Sequence, residues 1–296
     1  MRLDPSSNLG TVRSLYHAGR LCLFVGAGVS VSCGLPDWAT LSQRVIAQAW
    51  PDKVSSYDYE AIATRNFLSE GNPLEAMRMA KRILGNRFNS VVAECLYSDK
   101  THLSATVEAI VSLTQVRRIC CFNYDDVLEE SFMKHSFEFE PVLEGDRVPL
   151  DSNLLLIFHP HGFLPQTNEF FQRDYKASPI VLSEDDYHEL YATPYSWANL
   201  IQIYLLMNYS VLFVGCSLND PSIRRLLDIA KKMRVTHQHF ALLKNPTYHP
   251  EVRGWNGLAY TNLDRLREAD LGDRGITALW FKEYSESPEI LHSISQ

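Results

Sequence analysis

No stretch of this 296-residue chain stays apolar for the roughly 20 residues that a membrane-spanning helix needs. No long basic run stands against its net charge of −7, so nothing in the charge pattern points to nucleic acid or a lipid surface. Lys231-Lys232-Met233-Arg234 reads as a solvated helix end. The six cysteines (Cys22, Cys33, Cys95, Cys120, Cys121 and Cys216) include no C-x-x-C pair, which argues against a structural zinc. Four of them sit inside apolar runs, where a reduced thiol serves as a small hydrophobe, and that usage suits the cytosol. No signal peptide is expected, because the first apolar stretch, Leu21 to Val25, is too short and comes too late. Internal repeats, low-complexity segments and dividing linkers are also missing, so a single domain over 1–296 is expected.

What is present is a series of short, unbroken apolar runs. Leu21-Cys22-Leu23-Phe24-Val25 is followed by Arg118 to Phe122, Leu154 to Phe158, Ile180 to Leu182, Val211 to Val214, Phe240 to Leu243 and Ile276 to Phe281. Runs of this length read as strands buried on both faces. Helical patterns lie between several of them, as at Trp197 to Met207 and Pro221 to Met233, with Asn219 or Asp220 as the cap of the second. The alternation predicts an α/β fold, a Rossmann-like parallel sheet with helices on both faces. From Thr40 to Thr114 the pattern is helical only: Leu41 to Trp50, Pro73 to Leu84 (entered through Asn72-Pro73), Phe88 to Leu96 and Leu103 to Leu113. This predicts a helical insertion over about 40–114.

Three polar strings follow apolar runs directly. Gly26-Ala27-Gly28-Val29-Ser30 after the first can bring backbone close to a diphosphate, or it is an ordinary tight turn. The common dinucleotide fingerprint is incomplete. The next glycine is Gly34, and the acidic residue expected about 20 positions on is missing, Asp52 lying at a helix end. Asn123-Tyr124-Asp125 offers groups for a ribose, a water or a carboxamide; alternatively Asn123 or Asp125 caps a helix over Asp126 to Lys134. His161-Gly162 supplies a base that titrates near neutrality, with His159 as the competitor across Pro160.

Taken together, the strings resemble the sirtuin family. That family's order is Gly-Ala-Gly-x-Ser, Gly-Ile-Pro-Asp-Phe, Gln-Asn-Ile-Asp, His-Gly and Gly-Thr-Ser. Here it reads Gly26-Ala27-Gly28-Val29-Ser30, Gly34-Leu35-Pro36-Asp37-Trp38, Phe122-Asn123-Tyr124-Asp125, His161-Gly162 and Gly215-Cys216-Ser217. Asn245 matches the family's adenine-ribose asparagine. The resemblance implies NAD as the bound molecule. Gly26, Ala27, Gly28 and Ser30 would meet the diphosphate, and Gly215, Ser217 and Asn245 the adenosine half. Pro36, Asp37 and Trp38 would line the site, with Trp38 shielding the reactive sugar face. Tyr124 and Asp125 would receive the carboxamide, Asn123 would hold the nicotinamide ribose or a water, and His161 would be the base.

The departures from the family matter as well. Between Gly162 and Gly215 there is no cysteine, so the four-cysteine zinc module of protein-deacylating sirtuins is not expected, and no metal with it. Ala39 and Phe122 replace that family's arginine and glutamine. Pro-x-Trp, Asn-Tyr-Asp and the zinc-free segment resemble the bacterial sirtuin-like branch whose members hydrolyse NAD, commonly as anti-phage effectors. The expectation is a cytoplasmic NAD+ glycohydrolase with NAD as substrate. Little room is left for a sensor, so regulation is expected from homo-oligomerisation or from a partner such as a ring-forming ATPase. The alternatives are a non-catalytic nucleotide-binding sensor, an assembly subunit that makes contacts through the helical segment, and a protein deacylase or ADP-ribosyltransferase.

Overall fold

The computed structural model describes residues 5–49, 73–149, 153–166, 179–233, 237–245 and 257–296. Asn72, Trp50, Asp52 and Arg234, which entered the sequence reading, lie outside them.

Seven strands form one sheet in the order β3-β4-β2-β1-β5-β6-β7. They are β1 (Leu21–Val25), β2 (Arg118–Cys121), β3 (Phe139–Val142), β4 (Leu155–Phe158), β5 (Ser210–Val214), β6 (His239–Lys244) and β7 (Ile276–Phe281). Every pairing is parallel. The strands are mostly apolar because both faces are covered. In β1, Leu21, Leu23 and Val25 enter one core while Cys22 and Phe24 enter the other, the two-residue period of an extended chain.

The first core is closed by α1 (Pro5–His17), the helices of the insertion, α7 (Val127–Lys134) and α12 (Glu286–Ile294). The second is closed by α9 (Trp197–Asn208), α10 (Pro221–Lys232) and α11 (Gly257–Asp273). α10 shows why it lies there: Ile223, Leu226, Leu227 and Ala230 recur at helical spacing and are all buried. Asp220 caps it, accepting from Ser222 N at 2.7 Å, with Pro221 at the first position. α8 (Glu184–Ala192) begins at a capping box formed by Ser183 and Asp186.

Between β1 and β2 lie the short helix α2 (Ala27–Val31) and then the insertion, with α3 (Trp38–Ala49), α4 (Pro73–Leu84), a 3-10 turn (Gly85–Arg87), α5 (Phe88–Leu96) and α6 (Ala105–Val111), and no strand among the described residues there. α3 starts earlier than the apolar pattern suggests, because Asp37 Oδ1 accepts from Thr40 N at 2.8 Å and opens the helix at Trp38. α6 is shorter than Leu103 to Leu113, because Ser104 caps it and accepts from Val107 N.

Two strand expectations need correction. Ile180 to Leu182 is not a strand: Val181 N donates to His161 O at 2.9 Å, but no ladder follows. Conversely β3, with Glu140 and Pro141 in its middle, was not expected to be a strand; it lies at the sheet edge, where a proline costs no ladder bond on the solvent side.

Candidate functional site

The strand order reverses at β1, whose neighbours β2 and β5 lead to opposite halves of the sheet, and ligands of open parallel sheets sit beyond the carboxyl ends of strands at such a point. All the polar strings lie there. Cys120 pairs with Phe158, the last pair of the β2–β4 ladder, and Asn123 and His161 each lie three residues beyond it, in the turns that leave these adjacent strands. Phe213 pairs with Ala241, and Ser217 and Asn245 follow at the carboxyl ends of these same two strands.

The glycines serve first to bring two turns together. Gly26 N–H donates to Val214 O and Gly28 N–H to Gly215 O, both at 3.0 Å. A Cβ on Gly26 would stand 2.8 Å from Gly215 O and from Cys216 Sγ, and one on Gly28 would stand 3.0 Å from Gly215 Cα. Gly215 has φ +68°, and its Cβ would lie 2.6 Å from Val29 N. Ala27 and Gly28 remain exposed between buried Gly26 and buried Val29, so this turn offers backbone to a ligand there.

Beside it, Asn123, Ser30 and Asp125 form one network. Asn123 Nδ2 donates to Ser30 Oγ at 2.7 Å and to Gly26 O at 3.1 Å. The Ser30 side chain in turn hydrogen-bonds Asp125, whose Oδ1 also accepts from Val127 N at 3.3 Å. Asp126, not Asn123 or Asp125, occupies the cap position of α7. Burial pushes the Asp125 carboxyl up to about 6 despite the Ser30 hydrogen bond. Asp126 is pushed up to about 7, again by burial, although Tyr97 Oη donates to it at 2.9 Å and Gln166 N at 2.8 Å.

The two histidines separate. His159 is fully buried, its Nε2 2.9 Å from Glu129 Oε1 and its ring centroid 4.3 Å from that of Phe163, the two rings tilted by 35°. His161 is 5% exposed, with its ring 5.2 Å from Phe122 and 6.1 Å from Tyr187. Burial lowers its basicity and Asp220 partly restores it, so His161 is neutral at pH 7 and able to accept a proton. Gly162, at φ +95°, lets the chain turn beneath Pro179 O, where a Cβ would come within 2.4 Å. Tyr124 donates its hydroxyl to Val181 O at 2.6 Å.

The remaining expected residues are more peripheral. Pro36 is half-buried, Asp37 is spent on the α3 cap and Trp38 packs partly against the first core. Ser217 is exposed, and Asn245 is half-buried just past β6. The sequence reading missed Glu129, Asp126, Tyr97, Tyr187 and Asp220 as members of the site's surroundings. The signal for Glu129 was an acid between Leu128 and Phe132 on a helix face that is otherwise apolar.

Among the described residues no three His, Cys, Asp or Glu side chains are grouped to hold a metal ion, and no helix is long and apolar enough to cross a membrane.

Comparison with known proteins gives the same picture. The chain is 23% identical over 232 residues to Defense-associated sirtuin 2 of Bacillus subtilis, covering 77% of this chain and 21% of that protein. It is 23% identical over 283 residues to the NAD(+) hydrolase ThsA of Bacillus cereus (strain MSX-D12), covering 92% of this chain and 53% of that one. It thus spans about a fifth and about half of the lengths of these curated relatives. A solved chain from work on the structural basis for the mechanism and regulation of Sir2 enzymes overlays with TM-score 0.44 at 13% identity, covering 97% of this chain and 95% of that one. The sequence profile of the SIR2-like domain matches residues 117–268, and the chain belongs to that family.

Proposed function

We propose that this chain is an NAD+ glycohydrolase, cleaving the nicotinamide–ribose bond with water to give nicotinamide, ADP-ribose and a proton. The observation that carries the proposal is that Asn123 and His161 both lie just beyond the carboxyl ends of the adjacent strands β2 and β4, with Asn123 tied through Ser30 to the glycine turn. Nicotinamide in NAD+ is already cationic and departs neutral, so no general acid is required. Positive charge grows on the ribose, as in other glycosidic cleavages. Asn123 would orient the ribose or the water, and neutral His161 would polarise a hydroxyl or the water. Phe122 and Tyr187 flank His161 and limit stray solvent. Asp125, ionised above about pH 6, places negative charge near the forming cation and can accept from the carboxamide. Gly26, Ala27, Gly28 and Ser30 would take the diphosphate; Gly215, Ser217 and Asn245 the adenosine half; Pro36, Asp37, Trp38 and Tyr124 the nicotinamide side.

The names of the two curated relatives support a wider reading, depletion of NAD in bacterial defence. Our reading adds a single catalytic domain over 1–296 acting against phage in the cytoplasm, as a homo-oligomer or with a partner such as a ring-forming ATPase. The decisive assay follows free nicotinamide from NAD, with and without extract containing a candidate partner. Wild type should release it, and Asn123→Ala and His161→Ala should not; release at wild-type levels by both variants would refute the assignment. A non-catalytic nucleotide binder is the second reading. It is favoured by one observation, that Asn123 Nδ2 is already hydrogen-bonded within the protein. Binding of NAD in calorimetry with no nicotinamide released under any activating condition would establish it.

A further inference from the structure

We infer that Glu129 is a positioning residue for Asn123, acting through the buried ring of His159. Both side chains are completely buried, and Glu129 Oε1 lies 2.9 Å from His159 Nε2. On the other side of the ring, His159 Nδ1 lies 3.4 Å from the main-chain carbonyl of Asn123. A carbonyl only accepts, so this contact requires the proton on Nδ1. That leaves Nε2 to be matched by the carboxyl group of Glu129. Phe163, its ring centroid 4.3 Å away, packs against the ring and keeps it from turning.

The energetics point the same way. Glu129 Oε2 is buried and, among the described residues, has no hydrogen-bond partner. A buried carboxyl group with one partner is a poor stabiliser, and a leucine between Leu128 and Phe132 would suit the α7 face better. What the carboxyl group does provide is a fixed orientation and tautomer for the His159 ring. That in turn fixes the Asn123 carbonyl, while the same residue's side chain reaches Ser30 and Gly26. Glu129, His159 and Asn123 come from α7, the turn after β4 and the turn after β2, so the relay joins three elements beneath the site.

Where activity is the readout, this inference rests on the proposed glycohydrolase reading; its spectroscopic readout does not. In the wild-type full chain, long-range proton–nitrogen spectra should show His159 protonated at Nδ1, and an unprotonated Nδ1 would overturn the inference whatever the enzyme does. In Glu129→Leu the Asn123 side-chain amide signals should shift and lose exchange protection. In Glu129→Gln, whose amide can still meet Nε2, they should stay close to wild type. Nicotinamide release should follow the same order: Glu129→Leu lowers kcat about ten- to a hundredfold with KM within about twofold, and Glu129→Gln recovers most of it. A merely structural role would change melting temperature but leave kcat per folded molecule and the Asn123 signals unmoved, which would overturn it. If Glu129→Leu does not fold, the wild-type Nδ1 reading alone decides. If wild type releases no nicotinamide under any activating condition, the glycohydrolase reading fails and the Asn123 signals still test the relay.

Discussion

Asn123 Nδ2 donates to Ser30 Oγ at 2.7 Å, joining the turn after β2 to the short helix after β1. The two residues are 93 apart in sequence and meet because Val25 pairs with Cys121 across the parallel ladder. Ser30 also holds Asp125, so one hydroxyl serves both polar members of the Asn-Tyr-Asp string.

Ser30→Ala removes that hydroxyl while leaving Asn123 its bond to Gly26 O. Asp125 then loses the group that restrains its carboxyl, which should titrate higher still. Leaving buried partners unmatched costs about 1–3 kcal/mol, which urea denaturation at pH 7 should register. Nicotinamide release should fall further than that loss explains. Unchanged stability and unchanged release together would show that the network does no more than fill space.

Gly215→Ala should be harsher. Its φ of +68° costs about 1–2 kcal/mol for a residue with a side chain, and a Cβ 2.6 Å from Val29 N would push the glycine turn away from β5. We expect a total loss of several kcal/mol by chemical denaturation, and failure to bind NAD in any fraction that folds. Gly275→Ala serves as the comparison: φ is +75° but nothing lies within 4 Å of its Cβ, so only the conformational cost should appear.

Much of this was legible in the sequence. Six of the seven strands announced themselves as unbroken apolar runs because both faces of the sheet are covered. β3 did not, since an edge strand needs less apolar sequence and tolerates Pro141. Ile180 to Leu182 looked like a strand because burial alone selects apolar residues: Ile180 and Leu182 are buried, but against a turn carrying His161, not a ladder. Most of the candidate site residues could be picked out because they follow strands directly. Glu129 and Asp126 were not, because their roles depend on side chains from distant segments, His159 and Tyr97, that only the fold brings to them.

Asp126 predicts a pH dependence of stability. Its carboxyl titrates at about 7 in the folded protein against 3.8 ordinarily, so the folded state holds a proton that the unfolded state has released. Its contribution to stability therefore falls as pH rises from about 4 through 7. Asparagine can keep the contacts: its oxygen accepts from Gln166 N, and its amide donates to Tyr97 Oη, which donates onward to Leu164 O. Asp126→Asn should gain on the wild type by on the order of 2–4 kcal/mol between pH 4 and pH 8. Denaturation curves at both pH values test this, and a difference that does not change with pH would contradict it.

His161 makes the corresponding prediction for activity. Burial lowers its pKa from 6.5, so the neutral, proton-accepting form persists to lower pH than for a free histidine, and its acid limb must fall below pH 6.5. Asp220 acts in the opposite direction, its charge favouring the protonated ring. Asp220 also caps α10 through Ser222 N, a task asparagine performs equally well. Asp220→Asn should therefore leave the helix intact, lower the His161 pKa further and move that limb to lower pH. Protonation of Asp125 near pH 6 adds a second acid-side loss that Asp220→Asn need not move in step. The measurement is the pH profile of nicotinamide release by wild type and variant. A limb that moves to higher pH in Asp220→Asn, or one unmoved while the ring titration shifts in proton spectra, would remove His161 from the role of base.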